Sequence, residues 1–115
     1  SETLHYELEP LGIRVRIVEP GMIKTDFGGR SFDFAMDESL SDYAPTAEAM
    51  GRLFGRLASD PSAPEVVAGV VWDAASETGD RLRFRAGPDV ERLLGDRKAQ
   101  DDGAFIGGIK RLMRP

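Results

Sequence analysis

The sequence predicts an α/β fold, because segments with the spacing of amphipathic helices alternate with segments that have the two-residue period of a strand. Ile13 to Ile17 and Arg81 to Ala86 alternate apolar and basic side chains, which is typical of half-buried strands. Between them, Pro64 to Ser76 has the length and the apolar face of a helix. Ser62 and Glu65 form a capping box that predicts the start of this helix.

The remaining elements follow from the same rules. Leucines at helical spacing predict a first helix, which Pro10 ends, and Gly12 then releases the chain into the first strand. These leucines are Leu4, Leu8 and Leu11. A further helix is expected from Thr46 to Ala58, and Asp89 is expected to cap a short helix after the second strand.

Composition and charge exclude several classes of protein. The chain has 115 residues, of which 41% are hydrophobic and 30% charged, so it fits one small globular domain. A net charge of -5 argues against nucleic-acid binding, which depends on concentrated positive charge. There is no cysteine, which fits a reducing cytoplasm, and no apolar run near the ~18 residues that cross a bilayer. We expect a cytoplasmic protein without nucleic-acid or membrane partners.

The most informative segment is the end of the first strand, Glu19-Pro20-Gly21-Met22-Ile23-Lys24-Thr25. Pro20 lacks a backbone donor and Gly21 has no side chain, so we expect the ladder to break there and the backbone to pass close to a ligand. In open α/β sheets, ligands bind beyond the carboxyl ends of the strands. The alternative is an ordinary strand-ending turn in which Thr25 caps the next segment.

Around this turn the chain resembles the short-chain dehydrogenase/reductase family, whose members use NAD or NADP on a Rossmann-like fold. The resemblance rests on Ser1 to Leu8, Leu11 to Val15 and Pro20 to Thr25, in that order and with short spacings. In the family these are the end of the helix that carries the catalytic Tyr and Lys, the sixth strand, and the Pro-Gly segment beside the nicotinamide. A weaker likeness continues to about Asp89. The resemblance implies the C-terminal part of a doubly wound parallel sheet.

The resemblance assigns cofactor binding to Pro20, Gly21, Met22, Ile23 and Thr25. It implies that the backbone at Ile23 meets the nicotinamide carboxamide, that the Thr25 hydroxyl bonds to it, and that the Pro-Gly turn lies against the ring. Such contacts fix which face of the ring is presented for hydride transfer. In the family, the segment equivalent to residues 26–45 covers the cofactor and the substrate.

Several parts of the family pattern do not occur in this sequence: the Gly-rich phosphate turn, the catalytic Ser and the Tyr-x-x-x-Lys pair. Four places after Tyr6 stands Pro10, and four places after Tyr43 stands Ala47, so we assign no catalytic residue. The family's Tyr and Lys would precede Ser1, which opens the chain inside a predicted helix. We therefore expect residues 1–115 to be the C-terminal segment of a single Rossmann-like domain, from a truncated or cleaved protein.

Structural explanations are favoured for the other polar clusters. His5 is the only histidine and has no second His or Cys to complete a site, so no metal is expected. Solvated charge explains four carboxylates spread through the 26–45 segment, which are Asp33, Asp37, Glu38 and Asp42. Two basic clusters are better explained by a solvated or subunit-facing strand and by a helix end than by an anion site. They are Arg81, Arg83 and Arg85, and Lys110, Arg111 and Arg114.

The 26–45 segment also carries a group of large apolar residues. They could line a substrate pocket or form a small satellite core under the loop, and the sequence does not decide between these roles. The residues are Phe27, Phe32, Phe34, Met36 and Tyr43.

The expected function is that of the C-terminal part of an NAD- or NADP-dependent oxidoreductase that transfers hydride between its cofactor and an alcohol or ketone. We expect the chain alone to be inactive, and the parent protein to be a homo-oligomer. The alternative is a non-catalytic oligomerisation or interaction module, in which the last strand and the Val-rich helix form a subunit interface.

Overall fold

A computed structural model describes residues 1–33, 35, 37 and 39–115. It contains five α-helices and two β-strands within these ranges. In chain order they are α1 (Glu2–Leu8), β1 (Ile17–Pro20), α2 (Ala44–Leu57), α3 (Pro64–Ser76), β2 (Arg83–Ala86), α4 (Pro88–Ala99) and α5 (Asp102–Leu112). Helices and a sheet are interleaved, in agreement with the predicted α/β class.

The two strands form a parallel sheet, with Ile17 opposite Arg83 and Pro20 opposite Ala86. A parallel pair needs a long crossover connection, and the segment between β1 and β2 provides it with α2 and α3. α3 packs against both strands, α4 packs against β2, and α2 contacts α5.

Strand β1 begins four residues later than the prediction of a strand from Ile13. Its partner β2 begins only at Arg83, so the chain before Ile17 has no strand residue opposite it in the described sheet. A side chain holds that segment instead: the Arg16 guanidinium donates hydrogen bonds to the carbonyls of Glu77 and Gly79, at 3.3 and 2.6 Å.

Strand β1 ends at Pro20, as expected, but the missing N–H of Pro20 is not what ends it. The Ile17 N–H donates to Leu82, and the Gly21 N–H donates to Ala86 at 3.1 Å, one residue beyond Pro20. Because these donors lie four residues apart and successive N–H groups alternate in direction, the nitrogen of Pro20 lies on the edge that faces away from β2. Its missing hydrogen therefore costs this ladder nothing.

The core lies where β2 meets the helices. Phe84 and Ala86 are 2% and 0% exposed, which agrees with the half-buried strand that the alternation predicts. The other buried apolar residues, one each on α2, α3 and α4, are Leu53, Ala74 and Val90.

The helix boundaries follow most of the predicted signals. A 3₁₀ turn follows α1, and Gly12 then adopts the left-handed conformation, with φ 75°, that releases the chain as expected. α2 begins at Ala44 rather than Thr46, since Pro45 is tolerated in a first helical turn. The capping box is not formed, because the N-cap of α3 is Ala63 and Ser62 pairs instead with Ile23 in an isolated β-bridge.

The chain exposes more surface than a compact protein of its size. Its accessible area is 8800 Å², whereas a folded monomer of 12.6 kDa exposes about 6,200 Å². The radius of gyration is 17.7 Å, compared with about 13 Å for a compact domain of this length. Trp72 and Val71 of α3 and Leu11 after α1 are among the large apolar side chains left in solvent.

Arg83 links α1 to both strands through ion pairs with Glu2 and Glu19. The hydrogen bond from Arg83, reinforced by its positive charge, holds the pKa of Glu2 below its usual value of 4.5. A carboxyl group with a lowered pKa in the folded state stabilises the fold above its unfolded pKa, and this contribution is lost as the pH falls through the folded pKa.

We therefore expect Arg83→Met to reduce stability at neutral pH and to flatten the loss of stability on the acid side. Denaturant unfolding between neutral pH and about pH 3 measures this effect. Glu2→Gln should flatten the profile in the same direction. Glu7→Gln, which removes an exposed carboxylate from the same helix, should keep the wild-type profile; an equal flattening there would contradict the role of the Glu2 pair.

Candidate functional site

The candidate site is the strand-end turn, which comprises Pro20 to Thr25. It follows the carboxyl end of β1 and lies beside Gly87, which follows the carboxyl end of β2. In open α/β folds, ligands bind just beyond the carboxyl ends of the parallel strands. The structure therefore brings the predicted residues to the expected edge.

Three neighbouring elements hold the backbone of the strand-end turn. β2 holds it through the bond from Gly21 N–H to Ala86. The carboxylate of Asp89 in α4 accepts a hydrogen bond from the Met22 N–H at 2.6 Å. Ser62, just before α3, donates its N–H to the Met22 carbonyl and accepts from the Lys24 N–H, both at 2.9 Å.

The backbone donors of the turn can be accounted for one by one. Gly21, Met22 and Lys24 donate as described above, and the Thr25 N–H donates to the Ile23 carbonyl at 2.9 Å. Among the residues that the structure describes, the Ile23 N–H is the one backbone donor of this turn without a hydrogen-bond partner. A trans peptide points its C=O and N–H in opposite directions, so the bond from Ser62 to the Met22 carbonyl aims the Ile23 N–H away from Ser62.

Thr25 is exposed, two residues beyond Ile23. Its hydroxyl oxygen accepts the Phe27 N–H at 3.4 Å, a local contact similar to the capping role considered as the alternative. A hydroxyl group has one donor hydrogen besides its two acceptor lone pairs. The Thr25 O–H can therefore still donate to a ligand while its oxygen accepts from Phe27.

Asp89 is the site residue that sequence reasoning missed. It was expected to cap a helix, but it lies inside the first turn of α4 and Gly87 occupies the N-cap position. Its carboxylate reaches back to the turn and packs against Gly21: a Cβ atom at position 21 would lie 2.1 Å from Asp89 Oδ1. Gly21 therefore allows the close approach of a carboxylate of this chain, whereas the sequence predicted a close approach to a ligand.

The segment after the turn begins with a π-helical stretch over Phe27–Ser31 and ends with a 3₁₀ turn over Ser41–Tyr43. The rings of Phe27 and Phe32 lie 6.1 Å apart, and both side chains are more than half exposed. Leu40 and Tyr43 contribute to an open cleft of about 460 Å³. Phe34, Met36 and Glu38 lie outside the described residues, so the choice between pocket and satellite core stays open.

A second cleft, of about 510 Å³, lies between α2, α4 and α5 and reaches Asp89. Its lining combines apolar side chains such as Leu93 and Phe105 with charged groups of both signs, including Arg92 and Asp96. The cleft therefore adjoins the strand-end turn through a residue that holds the turn.

The basic cluster of Arg81, Arg83 and Arg85 is engaged with neighbouring groups. Arg85 pairs with Glu91 at 3.2 Å, and the Arg81 guanidinium lies 4.3 Å from the centre of the Phe84 ring. Near the C-terminus, the carbonyl groups at the end of α5 accept hydrogen bonds from Arg52 and Arg56 of α2.

His5 contacts the Tyr6 ring edge to face. Within the described ranges, no three His, Cys, Asp or Glu side chains come together as a metal site. No helix in the described part of the chain combines the length and the apolar character that crossing a bilayer requires.

No protein-family model matches the chain. Two uncharacterized oxidoreductases of Schizosaccharomyces pombe are each 27% identical to it over 117 residues, covering 98% of this chain and 47% of the relative. Oxidoreductase BOA17 of Botryotinia fuckeliana is 29% identical over 97 residues, covering 83% of this chain and 34% of the relative. The chain thus spans half or less of the length of these curated relatives.

Proposed function

We propose that this chain is the C-terminal part of an NAD- or NADP-dependent short-chain dehydrogenase/reductase. The similarity to proteins named oxidoreductases supports an oxidoreductase role in general. The observation that carries the more specific proposal is the open Ile23 N–H at the carboxyl end of a parallel strand, in a turn whose other backbone donors are engaged. The family resemblance expects a nicotinamide contact at this same residue.

The residues of the turn fit the carboxamide of a nicotinamide. A carboxamide oxygen accepts hydrogen bonds, and both the Ile23 N–H and the Thr25 O–H are donors that can be offered to it. The bound cofactor would supply or accept the hydride. The turn would hold the ring in one orientation, so that hydride leaves from one face toward the substrate carbon.

In this proposal the rest of the dinucleotide and the proton transfer depend on sequence outside residues 1–115. The relatives are about twice as long as the matched region, which supports a further half that binds the phosphates. The large exposed area also supports it, because 8800 Å² is more than a self-contained domain of this size leaves in solvent. A small alcohol or ketone is the proposed substrate class.

A direct test is to titrate NADH and NADPH into the full-length protein and into the 115-residue chain, following cofactor fluorescence. We expect saturable binding by the full-length protein and weak binding by the chain alone, which lacks the phosphate-binding turn at a helix N-terminus. Tight binding by the chain alone would contradict this division of the site.

The same titration tests the alternative function, a non-catalytic interaction module. The observation in its favour is the exposed apolar face of α3, where Val71 and Trp72 are 49% and 73% exposed. A full-length protein that binds neither cofactor but assembles through this face would support the module and contradict the dehydrogenase.

Replacing Thr25 tests its contact with the carboxamide. In the full-length protein, we expect Thr25→Val to weaken productive cofactor binding by about 1 to 2 kcal/mol, because the buried carboxamide oxygen would lose the Thr25 hydroxyl as a hydrogen-bond donor. Thr25→Ser should have a smaller effect, since it keeps the hydroxyl. Cofactor affinity and turnover of each variant measure the effect.

Thr78→Val is the matched control for this substitution. It makes the same chemical change at an exposed position between α3 and β2, at the opposite end of the sheet from the strand-end turn. It should leave cofactor affinity unchanged. Equal affinity and turnover in the wild type and Thr25→Val would remove Thr25 from the site.

A further inference from the structure

Asp89 connects the two strand ends at the candidate site. It belongs to α4, which follows β2, and its Oδ2 atom accepts the N–H of Met22, which follows β1, at 2.6 Å. Met22 and Asp89 are 67 residues apart in the sequence. A hydrogen bond to a carboxylate is charge-assisted, and such bonds are about twice as strong as neutral ones.

Two glycines, one after each strand, leave room for the Asp89 carboxylate. Gly21 leaves room for it, since a Cβ atom there would lie 2.1 Å from Oδ1 and 2.3 Å from Oδ2. Gly87 also leaves room, since a Cβ atom there would lie 2.7 Å from Oδ1. Oδ1 is itself buried and, among the described residues, has no hydrogen-bond partner. A buried acceptor without a partner is costly, so this arrangement needs a reason other than stability alone.

We propose that Asp89 is a positioning residue for the nicotinamide, acting through the strand-end turn. This inference rests on the proposed function. The carboxylate fixes the Met22 N–H, and Ser62 fixes the Met22 carbonyl on the next peptide unit. That peptide unit also carries the Ile23 N–H, so its direction is set from both sides before any cofactor arrives. Asp89 itself touches neither the reacting atoms nor the substrate in this role.

The test compares two ligands that differ in the nicotinamide. NADH or NADPH reaches the strand-end turn, whereas ADP-ribose carries the adenosine and phosphates without the nicotinamide. In the full-length protein, we expect Asp89→Ala to weaken NAD(P)H binding about tenfold, the loss expected for one charge-assisted hydrogen bond. ADP-ribose affinity should stay within about twofold of the wild type. A general loss of structure would instead weaken both ligands.

Two further variants sharpen the comparison. Asp89→Asn keeps an acceptor for the Met22 N–H without the negative charge, so it should recover part of the NAD(P)H affinity. If Asp89→Ala does not fold, Asp89→Asn takes its place in the comparison of the two ligands. Glu91→Ala removes another carboxylate near the start of α4, where it pairs with Arg85 at the surface. It should leave both affinities unchanged.

Each outcome has a distinct meaning. Weaker NAD(P)H binding with unchanged ADP-ribose binding supports the positioning role. Equal losses for both ligands, or no loss for either, overturn it while leaving the dehydrogenase proposal in place. If the wild type binds neither ligand, the proposed function fails, and the role of Asp89 fails with it.

Discussion

Gly21→Ala should destabilise the protein by about 1 to 3 kcal/mol, the usual cost of forcing an extra methyl group into a filled site. The added Cβ atom would lie 2.1 Å from the Asp89 carboxylate, which is too close for any non-bonded contact. Backbone strain does not contribute, because the glycines with positive φ are Gly12 and Gly87 among the described residues. The cost of the substitution should therefore come from Asp89.

A double-mutant cycle measures the coupling between Gly21 and Asp89. In an Asp89→Ala background the collision is absent, so the further change of Gly21 to Ala should cost much less, and the two losses should not add. Denaturant unfolding of the wild type, the two single variants and the double variant gives the coupling energy. Gly51→Ala is the control, since a Cβ atom there meets nothing within 4 Å and alanine favours the helix. If the stability losses of the two single variants add in the double variant, the cost of Gly21→Ala does not come from the contact with Asp89.

Local patterns in the sequence predicted much of the fold. The alternation at Phe84 and Ala86 identified the buried face of β2, and Gly12 identified the end of the first helical segment. These features depend on neighbours within a few residues, because side-chain alternation and helix termination are local properties of the backbone. The position of the strand-end turn beyond β1 could be predicted for the same reason.

The contacts that hold the turn could not be predicted in this way. Ser62 had the sequence of a helix cap, but it pairs with Ile23, nearly forty residues earlier in the chain. Asp89 had the sequence of a helix cap as well, and its partner Met22 is 67 residues away. In each case the residue pairs with a partner that is distant in the sequence instead of capping a helix, and a single sequence carries no signal for such pairing. The one available hint was a pair of glycines, Gly21 and Gly87, each at the end of a strand.

The isolated 115-residue chain is expected to associate with itself. The edge of β1 that faces away from β2 carries the Val18 N–H, which no strand covers within the described residues. Uncovered edges are templates for pairing between chains. Exposed apolar side chains such as Leu11, Val71 and Trp72 would gain burial at the same time. The exposed area exceeds that of a compact monomer by more than the roughly 1,600 Å² that a standard interface buries.

Sedimentation velocity across a dilution series tests this expectation, and two proline variants identify the edge. Val18→Pro removes an N–H on the open edge only, where proline is tolerated, so it should shift the chain toward monomer. Glu19→Pro removes an N–H on the side that faces β2, so it should destabilise the chain itself. Trp72→Lys separates the contribution of the α3 face from that of the strand edge. A compact monomer at every concentration, with a radius of gyration near 13 Å rather than 17.7 Å, would contradict self-association and indicate that the chain repacks into a closed domain.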